Sequence, residues 1–220
     1  MRNLRRLLIV LVLLFGIFVA ADRVAVRFAE DQAASKIQSS RNLAQKPDVT
    51  IEGFPFLTQL IGSKLDEIKV HANDVKDPNS KVQLASLDAD LTGVKVSSDY
   101  SSAVADQATG TVLITYESLN QALPAGTTVD YGGTPGKVKV ATELGGTKVH
   151  GTADISVVGG NSVGLNNLKT GNALLDLGAS IFAPSVPVSG LPSGLKLDSV
   201  QAGQDGVTVT ASGTGVSLNG

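Results

Sequence analysis

The sequence predicts an α+β protein: an N-terminal helix followed by a long, curved, mainly antiparallel β-sheet. Three observations carry this. Between Asp22 and about Ser40, apolar residues recur with the 3.6-residue period of a helix. Beyond residue 48 the dominant period becomes two, as in strands with one dry face. Gly132-Gly133, Gly145-Gly146 and Gly159-Gly160 then punctuate the chain at intervals of 13 and 14 residues, a hairpin spacing.

The N-terminus comes first. Arg2, Arg5 and Arg6 make a basic start, and Leu7 to Ala21 is uncharged and apolar. Val19-Ala20-Ala21 ends the run with small residues before Asp22, which is the layout of a secretory signal peptide. As a helix, these fifteen residues would be about 22 Å long, short of a hydrocarbon core of about 30 Å. A cleaved signal over residues 1–21 is therefore expected, ahead of one domain over 22–220. An uncleaved membrane anchor is the alternative, because a helix-compatible segment follows directly. In both cases the basic end stays in the cytoplasm and the rest is exported. There is no cysteine, so disulfides and a lipidated cysteine are excluded.

All 20 acidic residues lie at or beyond Asp22, and three of the 18 basic ones lie before it, so the exported part carries 15 − 20 = −5. It contains no basic run. Nucleic-acid binding needs clustered Lys and Arg and is not expected. Adhesion to anionic headgroups through net charge alone is disfavoured for the same reason. Aromatic content is only 4%, so the core must be built from Val, Leu, Ile and Ala.

In the predicted helix, Ala25, Val26, Ala29, Ala33 and Ile37 share one face, and Val24 and Phe28 form a second apolar patch. Three alanines make the main face small enough for a sheet to approach closely. The run Val49 to Leu60 follows, with two of six phenylalanines, a proline and a glycine in Gly53-Phe54-Pro55-Phe56. Proline removes a backbone donor, so this strand should be an edge strand or end in a kink.

Ile68, Val70 and Ala72 then alternate with Glu67, Lys69 and His71. Val82 and Leu84 begin one phase, and Leu87, Ala89 and Leu91 continue in the other. A β-bulge in this strand would produce that shift and bend the sheet. Val112-Leu113-Ile114 is apolar on both faces, and Tyr116 to Leu123 is helix-compatible. Residues 129–165 form a meander with one dry and one wet face. Asn172 to Phe182 reads as a second helix, and final strands fall near 195–200 and 207–211.

Catalytic groups are hard to find. His71 and His150 fall on polar faces with no ligand-like spacing. There is no Gly-x-Ser-x-Gly elbow or lysine-terminated phosphate loop. Asp88 and Asp90 share a strand face and are the one carboxylate pair an enzyme could use, yet alternation turns them to solvent. The acids around Pro78 lack the glycine and glutamate of a calcium loop. No cofactor is expected, and a binding or structural role suits the chain better than catalysis.

The run Ile51, Gly53-Phe54-Pro55-Phe56-Leu57-Thr58-Gln59, Gly62 and Ile68-Lys69-Val70 resembles the signature of an actinobacterial family of envelope lipid-binding proteins. This family, formerly a domain of unknown function, includes the mycobacterial protein linked to lipomannan elongation. Leu191-Pro192-Ser193-Gly194-Leu195, Asp205-Gly206-Val207 and Gly213 are similar to its C-terminal pattern. The likeness spans roughly residues 22–218. It implies a fold similar to tubular, BPI-like lipid-binding domains, with a long helix packed into a curved sheet. It also implies binding of phospholipids, including phosphatidylinositol-type lipids.

The expected function is that of an exported cell-envelope protein, supporting envelope lipid or lipoglycan assembly. It would hold a phospholipid or glycolipid precursor between helix and sheet, with the membrane surface as a further partner. Phe28, Phe54, Phe56, Leu57, Leu60 and Ile61 are the candidate groove or mouth residues, followed by Leu177 and Phe182. The alternative is a membrane-anchored scaffolding protein with a protein partner.

Overall fold

The computed structural model describes residues 2–76, 82–97, 102–123, 125–144, 147–171, 185–188 and 191–218. The predicted helix is present but begins much earlier. It is one rod, α1 (Arg2–Ser40), of 39 residues, with no break at Ala21. The apolar run and the amphipathic segment are both helix-compatible, and nothing between them is a helix breaker. Asp22, Val26 and Ala34 are buried where α1 meets the rest of the protein, while the first half of α1 is exposed.

Eleven strands and two short helices follow among the described residues. In chain order they are β1 (Asp48–Glu52), α2 (Phe56–Ile61), β2 (Lys64–Lys76), β3 (Gln83–Val96) and β4 (Ala103–Ile114). Next come α3 (Tyr116–Ala122), β5 (Thr128–Tyr131), β6 (Lys137–Leu144), β7 (Thr147–Val158) and β8 (Ser162–Lys169). The last are β9 (Ser185–Pro187), β10 (Leu195–Ala202) and β11 (Val207–Ser217). They form two sheets, ordered β1-β2-β3-β4-β11-β10 and β5-β6-β7-β8-β9, and every described pairing is antiparallel. The helix predicted over 172–182 lies outside the described residues.

The meander is β5 to β8, with Val138 and Ala153 buried on its dry face. Ile155, Val157 and Val163 of that face pack against Leu197, Val200, Val207 and Val209, joining the two sheets. β10, an edge of the first sheet, donates from Leu197 N to Gly160 O at 2.8 Å. Ala202 O receives Gly136 N at 3.1 Å. The hairpin ends of the second sheet thus cover an edge that would otherwise be free to pair. The opposite edge, β1, is covered by α1, whose Glu30 carboxylate accepts from Ile51 N at 2.8 Å.

The phase change between Leu84 and Leu87 is not a bulge. β2 and β3 keep one register from Lys76↔Gln83 through Ala72↔Leu87 to Lys64↔Lys95. Both strands change phase together at Asp74, which has φ 51°, opposite Ala85. Neither strand gains a residue, so the two-against-one count of a bulge is absent. Shifts in register do occur, between Leu197 and Ser199 on β10 and between Thr152 and Asp154 on β7.

The first sheet bends by a related device on a larger scale. Pairing is interrupted at Asp66/Gly93, at Gly93/Asp106 and at Asp106/Gly215, while the register on either side is unchanged. These positions form one row across β2, β3, β4 and β11. Gly53, just beyond the end of β1, extends the row by one more strand. Gly53, Gly93 and Gly215 have φ of 100°, 62° and 61°, a region open to glycine and costly for other residues. Along this row the period of two is broken. Leu65 and Ile68 on β2, Val94 and Leu91 on β3, and Ala105 and Ala108 on β4 all join one core cluster, although each pair is three residues apart. Val26 of α1, Ile51, Phe56 and Val216 of β11 are the other buried members of that cluster. The row is therefore a crease that folds the sheet around the contact with α1.

Candidate functional site

The site is built where α1, the end of β1 and α2 meet. β1 stops at Glu52, Gly53 turns the chain at positive φ, and Pro55 opens α2. Pro55 has no side chain able to cap that helix. The cap comes from α1: Asp22 Oδ1 accepts from Leu57 N at 2.8 Å. The other oxygen, Asp22 Oδ2, accepts from Arg23 Nη2 at 2.6 Å. The Arg23 guanidinium lies 5.1 Å from the centre of the Phe54 ring, within cation–π range. Gln59 secures the far side, accepting from Asp66 N at 2.7 Å and donating to Glu52 O at 3.4 Å.

The Gly-Phe-Pro-Phe-Leu-Thr-Gln run thus reads as an anchored corner. Gly53 supplies the turn and Phe56 the core contact. Leu57 offers the N–H to Asp22, Thr58 Oγ1 donates to Pro55 O at 2.8 Å, and Gln59 bridges the end of the crease.

The candidate lipid-contacting residues divide by placement. Phe56 is 2% exposed inside the core cluster, and Leu57 packs against the same cluster half-buried. Phe54 at 53%, Leu60 at 37% and Ile61 at 85% are exposed around α2. Phe28 is 66% exposed and lies on the opposite side of α1 from Val26, beside Val24 and Ile17. A shallow apolar hollow on that outward face is lined by Ile17, Ala20, Ala21, Val24, Ala25 and Phe28. Leu177 and Phe182 lie outside the described residues. Asp22, Arg23 and Gln59 were not legible as site residues; the uncapped Pro55 was the available signal for a cap from elsewhere.

The polar groups considered for catalysis are placed as follows. His71 and Asp88 are exposed cross-strand partners with Nδ1 and Oδ1 2.6 Å apart, and Asn73 Nδ2 is 3.1 Å from His71 Nε2. Asp90 stands opposite Lys69 in the register. Among the described residues, no group of three or more His, Asp and Glu could hold a metal ion. On the wet face of the second sheet, Asp130, Lys139, Thr152 and Lys169 line a shallow polar hollow with His150. Lys139 and Lys169 are exposed there.

No curated protein and no solved structure matches the chain. A family model described as LmeA-like phospholipid-binding does match, over residues 20–212. That span takes in α1 from just before Asp22, the anchored corner, both sheets and all but the end of β11, so the chain belongs to the LmeA-like phospholipid-binding family.

Proposed function

We propose that the protein is exported and holds one phospholipid or glycolipid precursor at a time, serving lipid or lipoglycan assembly in the cell envelope. Family membership supports phospholipid as the ligand class. The observation that carries the location is the apolar array beside the middle of α1. Phe54, Leu60 and Ile61 are exposed directly beside Leu57 and the buried Phe56.

In this reading Leu57 forms the floor on which acyl chains rest, the buried Phe56 supports it from the core, and Phe54, Leu60 and Ile61 form the mouth. Phe28 stands at the outer wall, and Leu177 and Phe182 are further contacts. The driving force is sufficient in principle, because each methylene removed from water is worth about 0.8 kcal/mol, or about 12 kcal/mol for a sixteen-carbon chain. Phosphatidylinositol-type lipids are candidate ligands, and the ligand's role is binding or carriage rather than turnover.

Native mass spectrometry of the gently purified full chain tests this. Bound lipid at one per protein, with loss of occupancy on Leu57→Asp, is the expected result. A protein that carries no lipid and takes up none when phospholipid is added overturns it.

A further inference from the structure

The length of the apolar surface along α1 does not stop where the apolar sequence stops. The uncharged run ends at Ala21, but Val24 and Phe28 continue it along the outward face, in line with Ile17. From Leu7 to Phe28 is 22 residues, or about 33 Å of helix, enough for a hydrocarbon core of about 30 Å. The anionic obstacle to burying that length in lipid is Asp22, a carboxylate six residues before Phe28; the cations in the same stretch are Arg23 and Arg27. The structure removes the obstacle: Asp22 is 0% exposed, held between Leu57 N–H and Arg23.

The element that covers Asp22 has the surface this requires. α2 turns Leu60 and Ile61 outward, Phe54 is exposed just before it, and Ile61 at 85% is the most exposed large apolar side chain among the described residues. Arg23 and Arg27 lie one turn apart on the flank of α1 between the two apolar surfaces, and both are exposed. Long cationic side chains at that level can reach lipid phosphates while their stems stay in apolar surroundings.

We infer that this end of the domain, α2 together with the outward face of α1 as far as Phe28, is immersed in the phospholipid leaflet that α1 enters. Apolar contact runs from Leu7 to Phe28, and Arg23 and Arg27 sit at the phosphates. This rests on the lipid-binding reading only in naming where the ligand comes from: a lipid leaves the leaflet through a mouth already inside it.

The chain has no tryptophan, so a single introduced one reports its surroundings cleanly. The test compares Ile61→Trp with Val158→Trp in the full chain, reconstituted into phosphatidylcholine and phosphatidylglycerol vesicles containing lipids brominated near the headgroup end of the acyl chain. Val158 is also exposed and apolar, but it lies on the second sheet, beyond the edge of the first sheet farthest from α2. The expected result is loss of most Ile61→Trp emission, growing with the brominated fraction of the bilayer, and no loss for Val158→Trp. Unquenched Ile61→Trp emission overturns the inference, as does equal quenching of both variants. Quenching that saturates at one brominated lipid per protein also overturns it, while leaving the lipid-binding reading intact.

Discussion

The carboxylate of Asp22 caps a helix that begins 34 residues later in the chain, through a 2.8 Å hydrogen bond from Leu57 N–H. A six-residue helix has too few internal hydrogen bonds to persist alone, and its first N–H groups need outside acceptors. Asp22→Ala should therefore free α2 selectively. The expected outcome is faster amide hydrogen exchange at Leu57 and Thr58 and a lower melting temperature, with β5 to β8 unaffected. Asp22→Asn keeps an acceptor oxygen and should fall between the two. Unchanged exchange at Leu57 in Asp22→Ala would show that α2 does not depend on this cap.

The crease makes a separate prediction at Gly93. Its φ of 62° is costly for any other L-residue, and a Cβ there would lie 2.5 Å from Asp106 Oδ2. Gly93→Ala should destabilise the protein by about 1–2 kcal/mol from backbone conformation alone, with the clash adding to it. Combining it with Asp106→Ala should recover only the part due to the carboxyl group, because the Asp106 Cβ, 2.9 Å from the added Cβ, stays in place. Urea denaturation of the two single variants and the double variant separates these contributions. A Gly93→Ala variant as stable as the wild type would mean that the crease tolerates ordinary residues.

Alternation along β2, β6 and β7 was legible because each strand has one face toward apolar side chains and one toward water. The glycine pairs at 132–133 and 159–160 were legible because their turns need positive φ, found at Gly133, Gly159 and Gly160; Gly145-Gly146 lies outside the described residues. The phase change at Leu84 was misread as a bulge because one strand's sequence cannot report its partner. Only the register shows Val75 changing phase together with Leu84. The division into two sheets was hidden for the same reason, since alternation does not say that β11 returns to pair with β4. At the site, Phe54, Leu60 and Ile61 could be named as candidates from their apolarity beside a proline and glycine. Helix α2 itself was missed, because six residues are too few to display a 3.6-residue period and its cap lies on another element.

Phe56 and Ile61 share one short helix and should behave oppositely. Phe56 is buried in the cluster with Val26 and Leu65, so Phe56→Ala leaves a cavity and should cost about 3–5 kcal/mol. Ile61→Ala removes an exposed side chain and should change stability by no more than about 0.5 kcal/mol. Urea denaturation of the full chain in a mild detergent measures both. A large loss from Ile61→Ala would show that Ile61 has a packing role that its exposure hides.

Two residues along the strands from the crease, Lys64 and Lys95 are directly opposed across β2 and β3, a repulsive arrangement on a sheet. Asp106 compensates from β4, with Oδ1 2.7 Å from Lys95 Nζ and Oδ2 3.6 Å from Lys64 Nζ. The hydrogen bond from Lys95 holds the Asp106 carboxyl below the usual carboxylate value, against the opposing effect of partial desolvation, with the charges of both lysines assisting. A group whose folded value is depressed stabilises the fold above its unfolded value and loses that contribution as pH falls through the folded one. Asp106→Asn should therefore be less stable than the wild type at pH 7, and the gap should close as the solution is taken below about pH 4. The three groups are about half exposed, so the gap at pH 7 should be small and should also shrink as salt is added. Chemical denaturation at several pH values and two ionic strengths checks the sign. A gap that widens toward low pH would mean that Asp106 is held in its protonated form and that the lysine pair is balanced by another group.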